Sequence, residues 1–145
     1  MPIQIMAQTT EKPIDLPTVL ITGCSADGSG SALAEAFYER GLHVFATTRS
    51  LSKILHLEGF PNMTLLQLDV ASPSSISAAV DAVTAKTGGK LNYLVNNSGQ
   101  GLVLPAIHTD LDQAKKLFDV NFWGMVTVTH AFMPMVIAGG QGGHC

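Results

Sequence analysis

The sequence predicts an α/β protein built on a parallel sheet with helices on both faces. From Leu16 onward, short apolar runs alternate with longer segments of helical period, which is typical of βαβ units. A glycine-rich turn at residues 22–30 follows the first apolar run directly and leads into the first helical segment. With right-handed crossovers, these elements form the first half of a doubly wound fold with strand order 3-2-1-4.

Four apolar runs are predicted as strands. Each is short and bounded by turn residues, and none shows strict polar alternation, as expected for strands buried on both faces. They are Val19–Ile21, His43–Thr47, Met63–Leu68 and Leu91–Val95.

Three helices and one short helical segment connect and follow these strands. The first helix has apolar residues at helical spacing from Ala32 to Phe37 and ends at Gly41, where a left-handed residue can terminate it. Leu51–Leu57 is predicted as a short helix. The next helix begins at Ser72-Pro73, with Ser72 or Ser74 as its N-cap, and stops at Gly88-Gly89.

The last helix is predicted to run from Asp110 to about Ile137, bent or frayed by Gly124 and Pro134. The predicted organisation is then a flexible leader at 1–15, one domain at 16–138 and a glycine-rich flexible tail at 139–145.

Composition excludes several classes of protein. The net charge of -3 and the absence of a basic run disfavour a nucleic-acid partner. No uninterrupted apolar run reaches the length of a membrane span, and the first 17 residues lack the basic and apolar pattern of a secretory signal, so export is not expected. Two cysteines make no disulfide framework, and no Cys/His cluster has metal-ligand spacing, so a reducing cytoplasm without a bound metal is expected.

The turn after the first strand reads Thr22-Gly-Cys-Ser-Ala-Asp-Gly-Ser-Gly30. A pyrophosphate is bound by backbone N–H groups at a helix N-terminus, and glycine lets the main chain approach it closely. Gly23, Gly28 and Gly30 have the positions for this role, although an ordinary strand-to-helix turn also uses glycine.

Three further motifs follow the turn at 22–30 in the sequence: Asp69-Val70, Asn96-Asn97-Ser98-Gly99, and Asn121 in Asp119-Val-Asn-Phe-Trp-Gly124. Together the four motifs, in this order, resemble the short-chain dehydrogenase/reductase family over about Leu16 to Ala138. Within that family, the Thr-Gly-Cys-Ser opening and the Thr-Arg-Ser end of strand two are similar to fungal NADPH-dependent acyl-dihydroxyacetone-phosphate reductases.

The resemblance implies a Rossmann fold and a set of nucleotide-binding residues. Asp69 would face the adenine, 97–99 would pass beneath the adenosine ribose, and Asn121 would be the catalytic asparagine that supports a proton relay. The full cofactor-binding set is Gly23, Ser25, Gly28, Ser29, Gly30, Arg49, Ser50, Asp69, Val70, Asn97, Ser98 and Gly99.

Strand two ends at Arg49, where an NAD-selective site would carry a carboxylate. A guanidinium binds a 2′-phosphate bidentately, so NADP(H) is favoured over NAD(H), with a solvated loop arginine as the alternative. The turn is one residue longer than the common pattern and carries Asp27, which would repel a pyrophosphate and weaken binding, or would cap the following helix.

The family's chemistry requires a tyrosine acidified by a lysine four residues later, together with an upstream serine. Tyr38 and Tyr93 are the tyrosines, and Leu42 and Asn97 stand four residues beyond them. The sequence is therefore interpreted as a family member truncated before these groups, and it is not expected to be a reductase by itself.

Two other functions stay open. The alternatives to an NADP(H)-binding family member are a repurposed enzyme, namely an isomerase, cyclase or dehydratase acting without nicotinamide, and a non-catalytic partner subunit. Truncation would leave strand four without an outer neighbour and would expose apolar surface on the last helix. A homodimer through Leu111 to Val136 is expected, by resemblance to the family.

Overall fold

The computed structural model describes residues 12–140 and the backbone of 143–144. Its centre is a parallel sheet with the strand order β3-β2-β1-β4-β5. The strands are β1 (Thr18–Ile21), β2 (His43–Thr48), β3 (Met63–Gln67), β4 (Tyr93–Val95) and β5 (Gly143–His144). The predicted order 3-2-1-4 is confirmed.

Helices follow the strands as predicted. Ser72 caps α2 by accepting a hydrogen bond from the backbone N–H of Ser75, and Gly88 ends it in the left-handed conformation. Asp110 caps α3 through the backbone N–H groups of Asp112 and Gln113. The helices are α1 (Ser29–Glu39), α2 (Pro73–Thr87), α3 (Leu111–Phe118) and α4 (Met125–Ala138), with a π-helical turn at Asp119–Gly124 between the last two.

The outer edge of β4 differs from the prediction. Gly143 and His144 pair in parallel with Tyr93 and Leu94, so the expectation that strand four has no outer neighbour is wrong at these two residues. The outer N–H and C=O groups of β4 pair with β5, which returns to the sheet after a helical crossover. The predicted flexible tail at 139–145 contains this strand, whereas Gln141, Gly142 and Cys145 lie outside the described residues, as does the leader up to Glu11.

Strand β4 is also shorter than predicted, because other partners take the backbone groups of Leu91 and Asn92. The Leu91 N–H donates to the carbonyl of Met135. The Asn92 N–H donates to Oγ1 of Thr18, and the Asn92 side chain accepts from the Thr18 N–H at 2.8 Å. These bonds tie the beginning of β4 to α4 and β1.

Residues 51–57 form two short 3₁₀ turns, Leu51–Lys53 and Leu55–Leu57, and not the predicted short helix. Ile54 separates them with a φ of -124°, which lies outside the helical range. Ile54 and Leu57, three residues apart, are both buried, and this spacing suits the threefold repeat of a 3₁₀ turn. The segment thereby packs beside the glycine-rich turn.

The core consists of two apolar clusters, one on each face of the sheet. One includes Val19, Ile21 and Ala34 on the side of α1. The other includes Leu20, Val83 and Phe132 on the side of α2 and α4. Alternate residues of β1 therefore serve opposite faces, which confirms a sheet covered on both sides.

The predicted last helix is helical from Leu111 to Ala138 over 28 residues. The sequence has no uninterrupted apolar run as long as a membrane span. The length of this helix and its mean hydropathy of 1.3 nevertheless fit a membrane span. Val128, Phe132, Met135 and Val136 are buried in the core, as in the core helix of a globular domain. Helices of both kinds meet this criterion of length and composition.

Candidate nucleotide-binding site

A cleft of about 330 Å³ opens where β1, β2, β3 and β4 end. Crevices at the carboxyl ends of parallel strands are where α/β sheets bind ligands. Ten of the predicted cofactor-binding residues line it: Gly23, Ser25, Gly28, Ser29, Arg49, Asp69, Val70, Asn97, Ser98 and Gly99. The predicted Gly30 and Ser50 do not line it, and Thr48, Leu68, Gln100 and Val120 are additional lining residues.

The inner side of the glycine-rich turn is closely packed. A Cβ on Gly30 would overlap the carbonyl oxygen of Gly23 and would lie 2.5 Å from Nδ2 of Asn97. Gly23 has a φ of 72°, in the left-handed region. Gly30 is therefore required for backbone packing, although it does not face the cleft, and Gly23 is required for the direction of the turn.

Thr22 and Asn97 join the ends of β1 and β4 beneath the cleft. Oγ1 of Thr22 accepts hydrogen bonds of 2.9 Å from the backbone N–H groups of Asn97 and Ser98. In return, Nδ2 of Asn97 donates to the carbonyls of Thr22 and Gly23 at 3.1 and 3.0 Å. This network fixes two sides of the cleft relative to each other.

Helix α1 begins at the cleft without a side-chain cap. Its N-cap is Gly28, and no side chain of the described residues accepts a hydrogen bond there. The suggestion that Asp27 caps α1 is therefore wrong. Since the first N–H groups of a helix lack partners within it, this end can receive an anion.

Asp27 lies on the outer side of the turn. It lines a separate depression together with Ser31, Glu35 and His56, and it is not among the residues that line the cleft. Its φ of 63° is the one positive value at a non-glycine residue in the described part of the chain. The extra residue of this turn thus sits away from the cleft.

The end of β2 contributes one positive charge to the cleft. Arg49 is exposed and lines it, next to Thr48, whose Oγ1 hydrogen-bonds to Oγ of Ser25 at 3.2 Å. Ser50 pairs with Ser52 through their hydroxyls at 2.9 Å. The Arg49 carbonyl accepts from Nε2 of Gln67, which holds its backbone beside β3.

The Asp69-Val70 pair lies at the cleft after β3. The Asp69 N–H donates to Oγ of Ser75, and its Oδ1 accepts from the Ala71 N–H at 3.0 Å. Val70 packs so closely on Gly124 that a Cβ there would lie 2.7 Å from Cγ2 of Val70. The glycine at 124 therefore lets the helix pass close to Val70, which lines the cleft.

Asn121 lies on that π-helical turn and is bonded to the cleft rim. Its Oδ1 accepts from the Gln100 N–H, and its Nδ2 donates to the Gln100 carbonyl, both at 2.7 Å. Asn121 does not line the cleft itself. Its position beside a rim residue indicates that it positions residues 99–100.

Sequence reasoning missed four lining residues of the cleft, Thr48, Leu68, Gln100 and Val120. Gln100 and Val120 adjoin the predicted Gly99 and Asn121, so adjacency was the available signal. Cys24 is fully buried, and burial raises the pKa of its thiol from 9.0 to about 11, despite a hydrogen bond with the Thr47 backbone. Cys24 is thus a packing residue.

Comparisons with known proteins agree with the motifs. The family model described as short chain dehydrogenase matches residues 17–144. Short-chain dehydrogenase ptmH of Penicillium ochrochloron is 52% identical over 121 residues, 83% of this chain and 45% of its own length. The NADPH-dependent 1-acyldihydroxyacetone phosphate reductase of Schizosaccharomyces pombe is 39% identical over 119 residues, 82% of this chain and 40% of its own length.

Solved structures show the same fold. The KRED1-Pglu enzyme superposes with a TM-score of 0.81 at 24% identity, covering 88% of this chain and 54% of that one. A short-chain dehydrogenase from Streptomyces avermitilis gives 0.78 at 27% identity, covering 89% and 48%. The chain thus spans about half the length of the relatives it matches.

Proposed function

This chain belongs to the short chain dehydrogenase family, and on this basis we propose that its cleft binds the nicotinamide dinucleotide NADP(H). The observation that carries the proposal is that Arg49 lines the same cleft as the glycine-rich turn. NADP(H) carries a diphosphate and a separate 2′-phosphate. In the cleft, the glycine-rich turn would bind the diphosphate and Arg49 would bind the 2′-phosphate. The coarser role, an oxidoreductase-like protein, follows from the family.

The residues present fit a dinucleotide. The uncapped first turn of α1 supplies N–H donors for a diphosphate, and the absence of a Cβ at Gly30 permits the packing that places them. Asp69, Asn97, Ser98 and Gly99 line the part of the cleft proposed for adenosine. These residues bind and orient the group.

The charge at the end of β2 favours NADP(H) over NAD(H). Arg49 can donate two parallel hydrogen bonds to a phosphate, and charge-assisted bonds are about twice as strong as neutral ones. The lining carboxylate, Asp69, follows the next strand, β3, and accepts a bond from Ala71. One relative's name, the NADPH-dependent 1-acyldihydroxyacetone phosphate reductase, is in keeping with this preference.

Asp27 weakens this binding only modestly in the proposal. Asp27 lines the outer depression and not the cleft. In bulk water, two unit charges 4 Å apart interact by only about 1 kcal/mol, and the interaction falls with distance. The net effect on nucleotide affinity is therefore small beside that of Arg49.

When bound, the nicotinamide would donate or accept a hydride at a carbon of the substrate. A carbonyl that accepts a hydride also needs a proton, and these 145 residues contain no tyrosine with a lysine four positions later. We therefore propose that this stretch holds the nucleotide, with Asn121 fixing the cleft rim, and that it does not reduce carbonyls by itself.

The test compares NADPH and NADH binding by fluorescence titration in the wild type and in Arg49→Gln. Loss of a charge-assisted contact should weaken NADPH binding by about 10- to 100-fold and leave NADH binding nearly unchanged. The control is Arg40→Gln, because Arg40 is exposed and its guanidinium donates to the Ala36 carbonyl, away from the cleft. Equal losses for both nucleotides would argue against the 2′-phosphate assignment.

A second proposal concerns association. Large apolar side chains on one helical run are exposed, including Leu111 at 74%, Phe118 at 63% and Trp123 at 57%. Exposed patches of this kind mark association surfaces. We propose a homodimer through Leu111 to Val136, or a mixed dimer with a longer relative, in the cytoplasm and without membrane insertion.

Sedimentation of the wild type beside Phe118→Glu tests this dimer. A change to a monomer in the variant alone, with unchanged circular dichroism, is the expected result. A monomeric wild type that also fails to pair with a longer relative would contradict the proposal, and partition into vesicles would favour a membrane role.

A further inference from the structure

The outer side of the glycine-rich turn is bonded to the 3₁₀ segment 51–57. The Ala26 N–H donates to the Lys53 carbonyl at 2.9 Å. Five residues later, Oγ of Ser31 hydrogen-bonds to Nε2 of His56 at 2.5 Å. The two contacts bracket the part of the turn from Ala26 to Ser31.

Within this part of the turn, the Gly28 N–H donates to the Ser25 carbonyl at 3.2 Å. Asp27 adopts a left-handed conformation, which is unfavourable for a residue with a Cβ. Gly28, the N-cap of α1, has no side chain with which to make a capping bond. The inner network of Thr22 and Asn97 reaches the turn only as far as Gly23 and the packing at Gly30.

The Ser31–His56 pair is placed to add support from outside the turn. Ser31 is 6% exposed and lies in the first turn of α1, whereas His56 is exposed. His56 lines the two depressions on the outer side of the turn, one with Asp27 and one with Ser25 and Lys53. Neither Ser31 nor His56 lines the cleft, so any effect on a ligand must act through the turn.

We propose that His56 is a positioning residue, which holds residues 26–31 in the conformation that presents the first N–H groups of α1 to the cleft. The effect on a ligand rests on the nucleotide binding proposed above, whereas the effect on the turn does not. Because Ala26 is bonded to Lys53 and Ser31 to His56, residues 51–57 and the turn are joined at two points into one unit. That segment begins two residues after Arg49, so the unit joins the two groups proposed to bind separate phosphates.

Amide hydrogen exchange tests the brace without any nucleotide. In His56→Ala, peptides covering 24–31 should exchange faster by about 3- to 10-fold, the loss expected of one hydrogen bond. Peptides from β1 and α2 should not change. The matched control is His108→Ala, since His108 is also exposed on a 3₁₀ turn. Unchanged exchange at 24–31 in His56→Ala would overturn the proposal.

A double-mutant cycle then tests the ligand effect. Ser31→Ala and His56→Ala should each raise the Kd for NADPH by about 3- to 10-fold, and the double variant should be no worse than either single one. His56→Gln, which keeps a hydrogen-bonding group, should recover part of the affinity, although a merely structural gap would give no such rescue. Additive losses, or a Kd equal to that of the wild type, would overturn the ligand effect.

The two experiments separate this proposal from the previous one. If the wild type binds no NADPH, the proposed function fails and exchange at 24–31 alone decides whether His56 braces the turn. If the wild type binds and His56→Ala binds equally well with faster exchange, the function stands and the coupling of brace to ligand is refuted.

Discussion

The Cα of Gly30 lies against the carbonyl group of Gly23, so closely that any Cβ at residue 30 would overlap it. The contact joins the two ends of the glycine-rich turn. It explains why a glycine is needed at a position that does not line the cleft.

Gly30→Ala should disrupt the turn. The Cβ would also meet Nδ2 of Asn97, so the backbone or the Asn97 network must shift. Overpacking of this kind costs about 1–3 kcal/mol, and we expect that loss in the free energy of unfolding together with lost NADPH binding. Urea denaturation and NADPH titration measure the two effects. Gly101→Ala is the control, because a Cβ on Gly101 would have no neighbouring atom within 4 Å; equal behaviour of the two variants would contradict the packing argument.

Asn121→Ala should loosen the rim of the cleft. The variant loses both 2.7 Å bonds to Gln100, each with a net contribution of about 0.5–1.5 kcal/mol. Hydrogen exchange of the Gln100 amide should accelerate while β1 stays protected. Gln113→Ala removes an exposed amide from the preceding helix and should leave Gln100 unchanged. If the Gln100 amide exchanges as slowly in Asn121→Ala as in the wild type, Asn121 does not position the rim.

The Cys24 thiol should make stability fall at alkaline pH. Its pKa is raised by burial from 9.0 to about 11, so below pH 9.0 its contribution is fully present. Between those values the unfolded chain loses the proton and the folded chain keeps it, which costs up to about 2–3 kcal/mol. Denaturation of Cys24→Ala should show a flatter decline over this window. Parallel curves for variant and wild type would show that the thiol is not desolvated.

His43 should make stability fall at acidic pH. Burial, with the positive charge of Lys86 as a second cause, lowers the pKa of His43 below 6.5. As the pH falls below 6.5, the unfolded chain takes up a proton that the folded chain takes up only at lower pH, so the folded state loses stability. His43→Gln should flatten this decline, and Lys86→Gln should give an intermediate slope. The interpretation fails if His43→Gln declines as steeply as the wild type.

The 145-residue chain should not reduce carbonyls with NADPH. Tyr38 and Tyr93 have Leu42 and Asn97, not lysine, four residues later. The 1-acyldihydroxyacetone phosphate reductase of Schizosaccharomyces pombe, assayed by the loss of NADPH absorbance on its own substrate, is the positive control. Turnover by the purified chain above the buffer blank would refute the prediction.

The strands and the motifs at their ends were predictable because both depend on local sequence. A parallel strand buried on both faces needs a continuous apolar run, and Val19–Ile21 shows one. Since such strands end at one edge of the sheet, motifs far apart in sequence meet there. Asp69 and Asn97 therefore line one cleft with Arg49, as the strand order required.

What could not be predicted depends on tertiary contacts. The 3₁₀ turns at 51–57 follow from the burial of Ile54 and Leu57 beside α1, and the short β4 follows from the bonds of Asn92 to Thr18. No sequence pattern pairs His56 with Ser31, 25 residues apart. The position of Asp27 on the outer side of the turn likewise required the backbone conformation, with its φ of 63°.

Calorimetric titration of NADPH into the 145-residue chain decides whether the cleft is a nucleotide site. We predict saturable one-to-one binding that adenosine 2′,5′-bisphosphate displaces, because the turn at 23–30 and Arg49 would hold the phosphates and not the nicotinamide. Absence of binding up to millimolar NADPH, in a chain shown to be folded by circular dichroism, would contradict it.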